Sequence, residues 1–421
     1  MTDPSSSPAP SSRAPTAAPT DSLPRLLLTG AQMLFVAFGA LVLVPLLTGL
    51  DPNVAMFTAG IGTLVFHATT RMTVPVFLAS SFAFIAPIQG SIANFGVSAT
   101  LGGLMAAGLV YVVISQAVRL KGTGWLHRLL PPVVVGPVIM VIGLALAPVA
   151  VSMATGETSE TIGYGQAMVL SMSSLLVTLI LAVFGRGLLR LVPIMGGIVA
   201  GYLLALVMGV VDFTPVSEAA WLALPSFTAP SFHWAAILFM IPVAIAPAVE
   251  HIGDMVAIGS VTRHNYLERP GLHRTLLGDG LATMSAGVFG GPPNTTYSEV
   301  TGAVTLTRAF DPRIMVAAAV TAILLAFFAK LGAVLQTIPG PVMGGIMTLL
   351  FGSIAVVGMN TLVRAGQALT AARNLVVVSL ILVFGIGGMH VGGGQFSLQG
   401  VSLAALVGIA LNLVLPRASE D

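Results

Sequence analysis

Four carboxylates stand where the surrounding sequence is almost wholly apolar: Glu250, Asp254, Asp279 and Glu299. Glu250 and Asp254 are four residues apart, which puts them on one face of a helix. A charge among apolar side chains costs a few kcal/mol, so it is kept where it has a task. Two acids within one turn repel each other when both are ionised, so the pair is suited to exchanging a proton. A neutral carboxyl bonded to backbone inside a helix bundle fits the same residues, Asp279 most of all. Glu299 closes the stretch Gly291-Pro292-Pro293-Asn294-Thr295-Thr296-Tyr297-Ser298-Glu299. Its two prolines remove backbone donors, and Asn-Thr-Thr-Tyr favours extended or turn backbone. A helical pattern resumes from Val300 to Leu306. Such a break within a membrane is tolerated only where protein buries it or where it lines a cavity. A helix begun there turns amide donors and a positive dipole end into that cavity. The stretch therefore reads as one wall of a site for a small polar solute.

Other polar residues are weaker candidates. Gln32 offers both donors and acceptors within the first apolar segment, either to a cavity or as a tie between helices. His251 lies about 100° round the helix from Glu250 and is expected to face another helix rather than a ligand. Lys330 is expected to snorkel or pair near the outer surface. Gly60, Gly62, Gly102 and Gly103 read as close helix packing. The seven histidines show no ligand spacing, and there is no cysteine, so neither a metal site nor thiol chemistry is expected. No cofactor motif is present; the only coupling ion expected is a proton.

The elements that position these residues follow from composition. The 421 residues are 56% hydrophobic and 8% charged, with mean hydropathy +0.98. So few charges cannot cover the surface of a soluble protein of this length. The chain reads as an all-α polytopic membrane protein, and its net charge of +2 gives no reason to expect nucleic acid. Residues 1–23, rich in Ser, Pro and Ala, are expected to form a disordered cytoplasmic tail, and 417–421 a short C-terminal one. Between them run fourteen apolar segments, at 26–49, 53–70, 74–91, 97–118, 131–151, 166–185, 191–211, 234–262, 273–290, 292–307, 312–335, 339–359, 373–389 and 397–415. The third and tenth are short and interrupted for a full span.

Charges test this count. Every even-numbered segment exits into basic residues, from Arg71 after the second to Arg417 after the fourteenth. Odd exits carry Asp51, Glu157, Glu160, Asp212 and Glu218. The positive-inside rule then places both termini in the cytoplasm. A weak repeat accompanies the alternation: Pro132-Val133, Gly136 and Gly143 recur 209 residues later as Pro341-Val342, Gly345 and Gly352. Seven segments per half is an odd number, so the halves must be inverted. By the same correspondence the broken tenth segment pairs with the third, where Pro75 and β-favouring residues precede Ser80-Ser81. Interrupted segments at matching positions of two halves point to a substrate site.

At these residues the chain resembles a known family. Ser80-Ser81-Phe82-Ala83-Phe84-Ile85, Glu250-His251-Ile252-Gly253-Asp254 and Asn294-Thr295-Thr296-Tyr297-Ser298-Glu299 are similar to motifs of the nucleobase–ascorbate transporters, in their bacterial uracil permease branch. The resemblance runs from about Leu26 to Pro416 and includes Gly122-Thr123-Gly124-Trp125-Leu126 and Pro270-Gly271-Leu272-His273-Arg274. It implies a seven-plus-seven inverted fold with a short strand in each broken segment. It divides the transporter, 24–416, into a core domain (24–120 and 232–337) and a gate domain (121–231 and 338–416). It puts the substrate-binding acids at Glu250 and Glu299, backbone contacts near Phe82 and Ser298, and Tyr297, Ser81 and Gln32 beside them. Proton coupling falls to Glu250, Asp254 and Asp279. A homodimer in the bacterial inner membrane is also implied. Three positions depart from the pattern or choose between its branches. Val300 stands where the family has asparagine, Met33 where the uracil branch has histidine, and Asp254 where purine-transporting relatives have aspartate.

The function expected is proton symport of a nucleobase, uracil foremost, by alternating access. A xanthine or urate permease of the same family is the nearest alternative. An anion exchanger of the sulfate-transporter type would set its substrate against two glutamates. An integral-membrane enzyme would need a nucleophile, metal ligands or a cofactor motif, and a passive channel has less use for a closed site built from broken repeats.

Overall fold

The computed structural model describes residues 22–159, 161–364, 366, 369–393 and 396–416. The side chains of His127, Leu188, Ser298, Glu299, Arg364, Phe396 and Ser397 are outside that description. Both tails expected from the sequence lie outside the described residues, apart from the last two positions of the first.

Each apolar segment forms a helix, and the helices are numbered in chain order. They are α1 (Leu23–Thr48), α2 (Pro52–Thr69), α3 (Ile85–Phe95), α4 (Val97–Lys121), α5 (Pro132–Ala154), α6 (Tyr164–Phe184) and α7 (Pro193–Val207). Then follow α8 (Trp234–Thr262), α9 (Leu272–Phe289), α10 (Ser298–Thr307), α11 (Pro312–Ala326), α12 (Gly340–Arg364), α13 (Ala372–Ile386) and α14 (Gly400–Val414). Six of them, α1, α4, α5, α6, α8 and α12, are long and apolar enough to cross a membrane unaided. A seventh span results if α11 is joined to Ala329–Gln336 across a bend of 83°.

Local chemistry sets several boundaries. Asp51 caps α2, its carboxylate accepting from the Asn53 amide at 2.7 Å, with Pro52 at the first helical position. Asp311 opens α11 in the same way, accepting from Arg313 N at 2.9 Å. Gly290, at φ 90°, ends α9 in a backbone conformation costly for a side chain and turns the chain into Gly291-Pro292-Pro293.

Two short strands lie within the broken segments, β1 (Leu78–Ser80) and β2 (Asn294–Thr296). They pair antiparallel, with Leu78 opposite Thr296, Ala79 opposite Thr295 and Ser80 opposite Asn294. A second hairpin, β3 (His390–Gly393) with β4 (Phe396–Gln399), precedes α14. The β1–β2 pair is wholly buried, so its backbone groups must find partners in neighbouring helices. They do so largely through threonines. Thr63 Oγ1 of α2 accepts from Leu78 N at 2.9 Å and lies 3.2 Å from Leu78 O, to which it donates. Thr283 Oγ1 of α9 donates to Asn294 O at 2.8 Å. The Asn294 amide donates to Thr58 O at 2.8 Å, and Gly62 leaves the room that this side chain occupies. Gly60, Gly102 and Gly103 likewise sit where a methyl group would strike a neighbouring helix or segment, so all four serve packing.

Candidate functional site

The paired strands bring the two broken segments together from opposite ends of the chain. Ser81 N donates to Pro293 O at 2.9 Å, and Tyr297 N to Phe77 O at 3.2 Å, extending the ladder one step at each end. Beyond the strands each segment becomes helical, at Phe82 on one side and Ser298 on the other, and no side chain of the capping residue closes either start. Uncapped starts leave backbone N–H groups for another acceptor. The Phe82 and Tyr297 rings lie nearly parallel there, 13° apart in plane with centroids 6.4 Å apart. The Tyr297 hydroxyl is held by donating to Ser80 O at 2.7 Å.

A cavity of about 650 Å³ opens against this junction. One wall is made of Phe82, Thr295, Thr296 and Tyr297, with Glu250, Gly253, Asp254 and Ala257 of α8 beside them. The facing wall comes from elsewhere in the chain: Pro132, Val135 and Ile139 of α5, and Ser353, Ile354, Val357, Asn360 and Thr361 of α12. Its volume lies within the roughly 300–1,000 Å³ typical of small-molecule sites. The lining is mostly apolar, with polar groups concentrated on the strand–α8 wall and at the α12 end. Such a cavity can hold a small planar solute by its faces while carboxylate and backbone groups read its polar edge.

Four of the expected site residues, Glu250, Asp254, Phe82 and Tyr297, line this cavity. Glu250 is half-buried on the cavity wall, and Asp254, one turn on, is 5% exposed and accepts from Thr296 Oγ1 at 2.6 Å. Phe82 and Tyr297 line the cavity; Ser298 and Glu299 begin α10 next to it, their side chains outside the described part. Three others lie away from it. Asp279 is fully buried in α9 behind the strands, 3.5 Å from His251 Nδ1. Ser81 Oγ and Gln32 Nε2 are buried off the cavity lining, without a hydrogen-bond partner among the described residues. His251 faces α9 and β2 rather than the cavity, as its angle from Glu250 implied. Lys330 Nζ donates to Val216 O, in the short helix Thr214–Glu218, at 2.7 Å and sits over the Trp221 ring, so it is tied to the segment between α7 and α8 rather than to a ligand. Ser353, Asn360 and Thr361 were not singled out by sequence reasoning. Their only signal is polarity inside an apolar segment.

A helical membrane protein with broken segments meeting at a solute-sized cavity is a transporter in class. Comparison with known proteins agrees. The model of the Permease family matches residues 24–393. A probable uracil permease of Pasteurella multocida is 59% identical over 391 residues, covering 93% of this chain and 94% of that one. The uracil permease of Bacillus subtilis is 43% identical over 401 residues, covering 93% and 92%. Among solved structures, the transmembrane domain of a cyanobacterium bicarbonate transporter is similar in fold, with TM-score 0.66 and 16% identity over 94% of this chain and 99% of that one. This chain belongs to the nucleobase–ascorbate transporter family. It is a multi-pass membrane permease and not an enzyme.

Proposed function

We propose that the protein imports a nucleobase, uracil foremost, by proton symport with alternating access. The observation that carries this reading is the cavity itself, where a carboxylate of α8 and two uncapped helix starts surround a pair of parallel aromatic rings. Uracil is flat and presents alternating N–H donors and C=O acceptors. Glu250 and Glu299 accept from the N–H groups, and backbone amides near Phe82 and Ser298 donate to the carbonyls. The relatives named as uracil permeases favour uracil over a purine. The likeness to a bicarbonate transporter concerns fold alone, and carboxylates on the wall disfavour an anion.

Fourteen spans in two inverted halves of seven suit this function, and the brace pattern supports them. The β1 strand is tied to α1 by Ser80 Oγ donating to Leu41 O at 3.2 Å, and to α2 by Thr63. The β2 strand is tied in the corresponding way to α8 by Thr296 and to α9 by Thr283. Antiparallel β1–β2 pairing is what inversion requires. A core domain of 24–120 and 232–337 and a gate domain of 121–231 and 338–416 suit the same reading, and the cavity lining, which draws on both ranges, supports it. Its lining includes residues near Arg128, Arg263 and Arg364, so with basic loops inside we read the cavity as open toward the cytoplasm. Glu250, Asp254 and Asp279 form the proton-coupling set, and the protein acts as a homodimer in the inner membrane with both termini cytoplasmic. Uptake of labelled uracil into proteoliposomes, with and without an inward proton gradient, tests the reading. Competition by uracil but not by xanthine is expected, and the reverse order would overturn it in favour of a purine permease.

A further inference from the structure

Behind the cavity wall, four polar side chains stand in line into the protein, at successive separations of 2.6, 3.4 and 3.5 Å. Asp254 lines the cavity, and Thr296 Oγ1 donates to its Oδ2 at 2.6 Å. With its hydrogen so committed, the Thr296 oxygen still has lone pairs, and His251 Nδ1 lies 3.4 Å from it. The same Nδ1 lies 3.5 Å from Asp279 Oδ2. His251 and Asp279 are both fully inaccessible to solvent. No hydrogen bond from the described residues reaches either Asp279 oxygen or His251 Nε2. The other groups facing the pair are Glu250 and Asp254 from its own helix and the buried Tyr111 of α4, while α2 presents the edge of Phe66.

We propose that the His251–Asp279 pair is the transported proton's holding site, reached from the cavity through Asp254 and the Thr296 hydroxyl. This rests on the symport reading above and specifies the residues that carry the ion. With one proton between them, neutral imidazole and carboxylate bear a net negative charge inside the protein. A second proton, making imidazolium–carboxylate or imidazole–carboxylic acid, removes that charge, so loading relieves the cost of burial. The transfer balances without any other reactant. Once Asp254 takes up a proton, its O–H donates to the Thr296 oxygen and the Thr296 hydrogen turns toward Nδ1 of a His251 ring protonated on Nε2; the Asp254 proton then passes to the Thr296 oxygen as the Thr296 hydrogen passes to Nδ1, and unloading reverses these movements. At 3.4 Å the Thr296–His251 link is open, and it closes with a shift of a few tenths of an ångström. Thr296 belongs to β2, whose next residue is Tyr297, so a solute seated on the strand wall acts directly on that link. The same threonine thereby belongs to the substrate wall and to the proton path.

The test is pH-difference infrared spectroscopy of the purified protein in detergent, without substrate, followed after a pH jump. A buried-carboxyl band that titrates is expected in the wild type, absent in Asp279→Asn and displaced along the pH axis in His251→Gln. Thr296→Val should slow its appearance about tenfold, a barrier increase of roughly 1.4 kcal/mol, and Thr296→Ser should restore the rate. A merely structural role for Thr296 would leave the rate unchanged. A band that persists in Asp279→Asn, or Thr296→Val kinetics equal to wild type, overturns the proposal. If Asp279→Asn fails to fold, the position of the band in His251→Gln decides. Should the band behave as expected while labelled uracil is not transported, the substrate reading fails and the proton path stands.

Discussion

Tyr297 donates its hydroxyl hydrogen to the carbonyl of Ser80 at 2.7 Å across 217 residues of chain. The bond joins the last turnless residue of one broken segment to the strand of the other and fixes the angle at which the Tyr297 ring meets Phe82. Its removal by Tyr297→Phe should cost about 1 kcal/mol, the net worth of one hydrogen bond. Thermal unfolding of the purified protein should show a small loss, and substrate affinity a larger one. Unchanged affinity would mean the ring is held by packing alone.

Gly62 faces the Asn294 side chain, which fills the space a methyl group would need. Gly62→Ala must therefore push β2 or break the Asn294–Thr58 bond, at a cost of about 1–3 kcal/mol. A lowered melting temperature and reduced uptake together are expected. An alanine variant with wild-type values of both would show that the strand pair tolerates displacement.

Glu250 and Glu299 are expected to accept from the substrate's N–H groups, so Glu299→Gln should abolish or severely weaken uptake with the protein still folded in the membrane. For Glu250 the prediction is pH-dependent. If proton and substrate binding favour each other, raising the pH removes the proton and weakens the substrate, and coupling of about 1.4 kcal/mol shifts affinity about tenfold. Uracil titrations on purified protein, kept below the pH at which uracil ionises, should show this decline, blunted in Glu250→Gln. A flat wild-type profile would leave Glu250 a plain acceptor.

Asp254 touches Thr296 and the cavity, one helical turn from Glu250. Asp254→Asn should keep binding while losing accumulation against a gradient. Comparing counterflow, which needs no net proton movement, with gradient-driven uptake in proteoliposomes separates the two. Wild-type accumulation by the mutant would move coupling elsewhere.

Since the chain has no cysteine, a single Thr361→Cys gives an unambiguous reporter at the α12 end of the cavity. With the cavity open toward the cytoplasm it should react with a membrane-impermeant thiol reagent only from the side bearing the basic loops, and substrate should slow the reaction. Labelling from the opposite face alone would reverse the assigned orientation.

Much of this architecture is legible in the sequence. Apolar segments, the prolines that interrupt the third and tenth, and the four-residue spacing of Glu250 and Asp254 are local properties, set by backbone donors and by helical period. The strands at 78–80 and 294–296 fall in the two broken segments for that reason. What period cannot encode is which surface lies opposite. Only the tertiary structure placed Ser353, Asn360 and Thr361 across the cavity from β2, because their polarity within α12 carries no address. Only it separated Asp254, on the cavity wall, from Asp279, sealed behind it, since both look alike as acids in apolar surroundings. His251 illustrates the division. Its angle from Glu250 foretold that it faces away from the cavity, but its meeting with Asp279 and Thr296 depended on how α8, α9 and β2 come together.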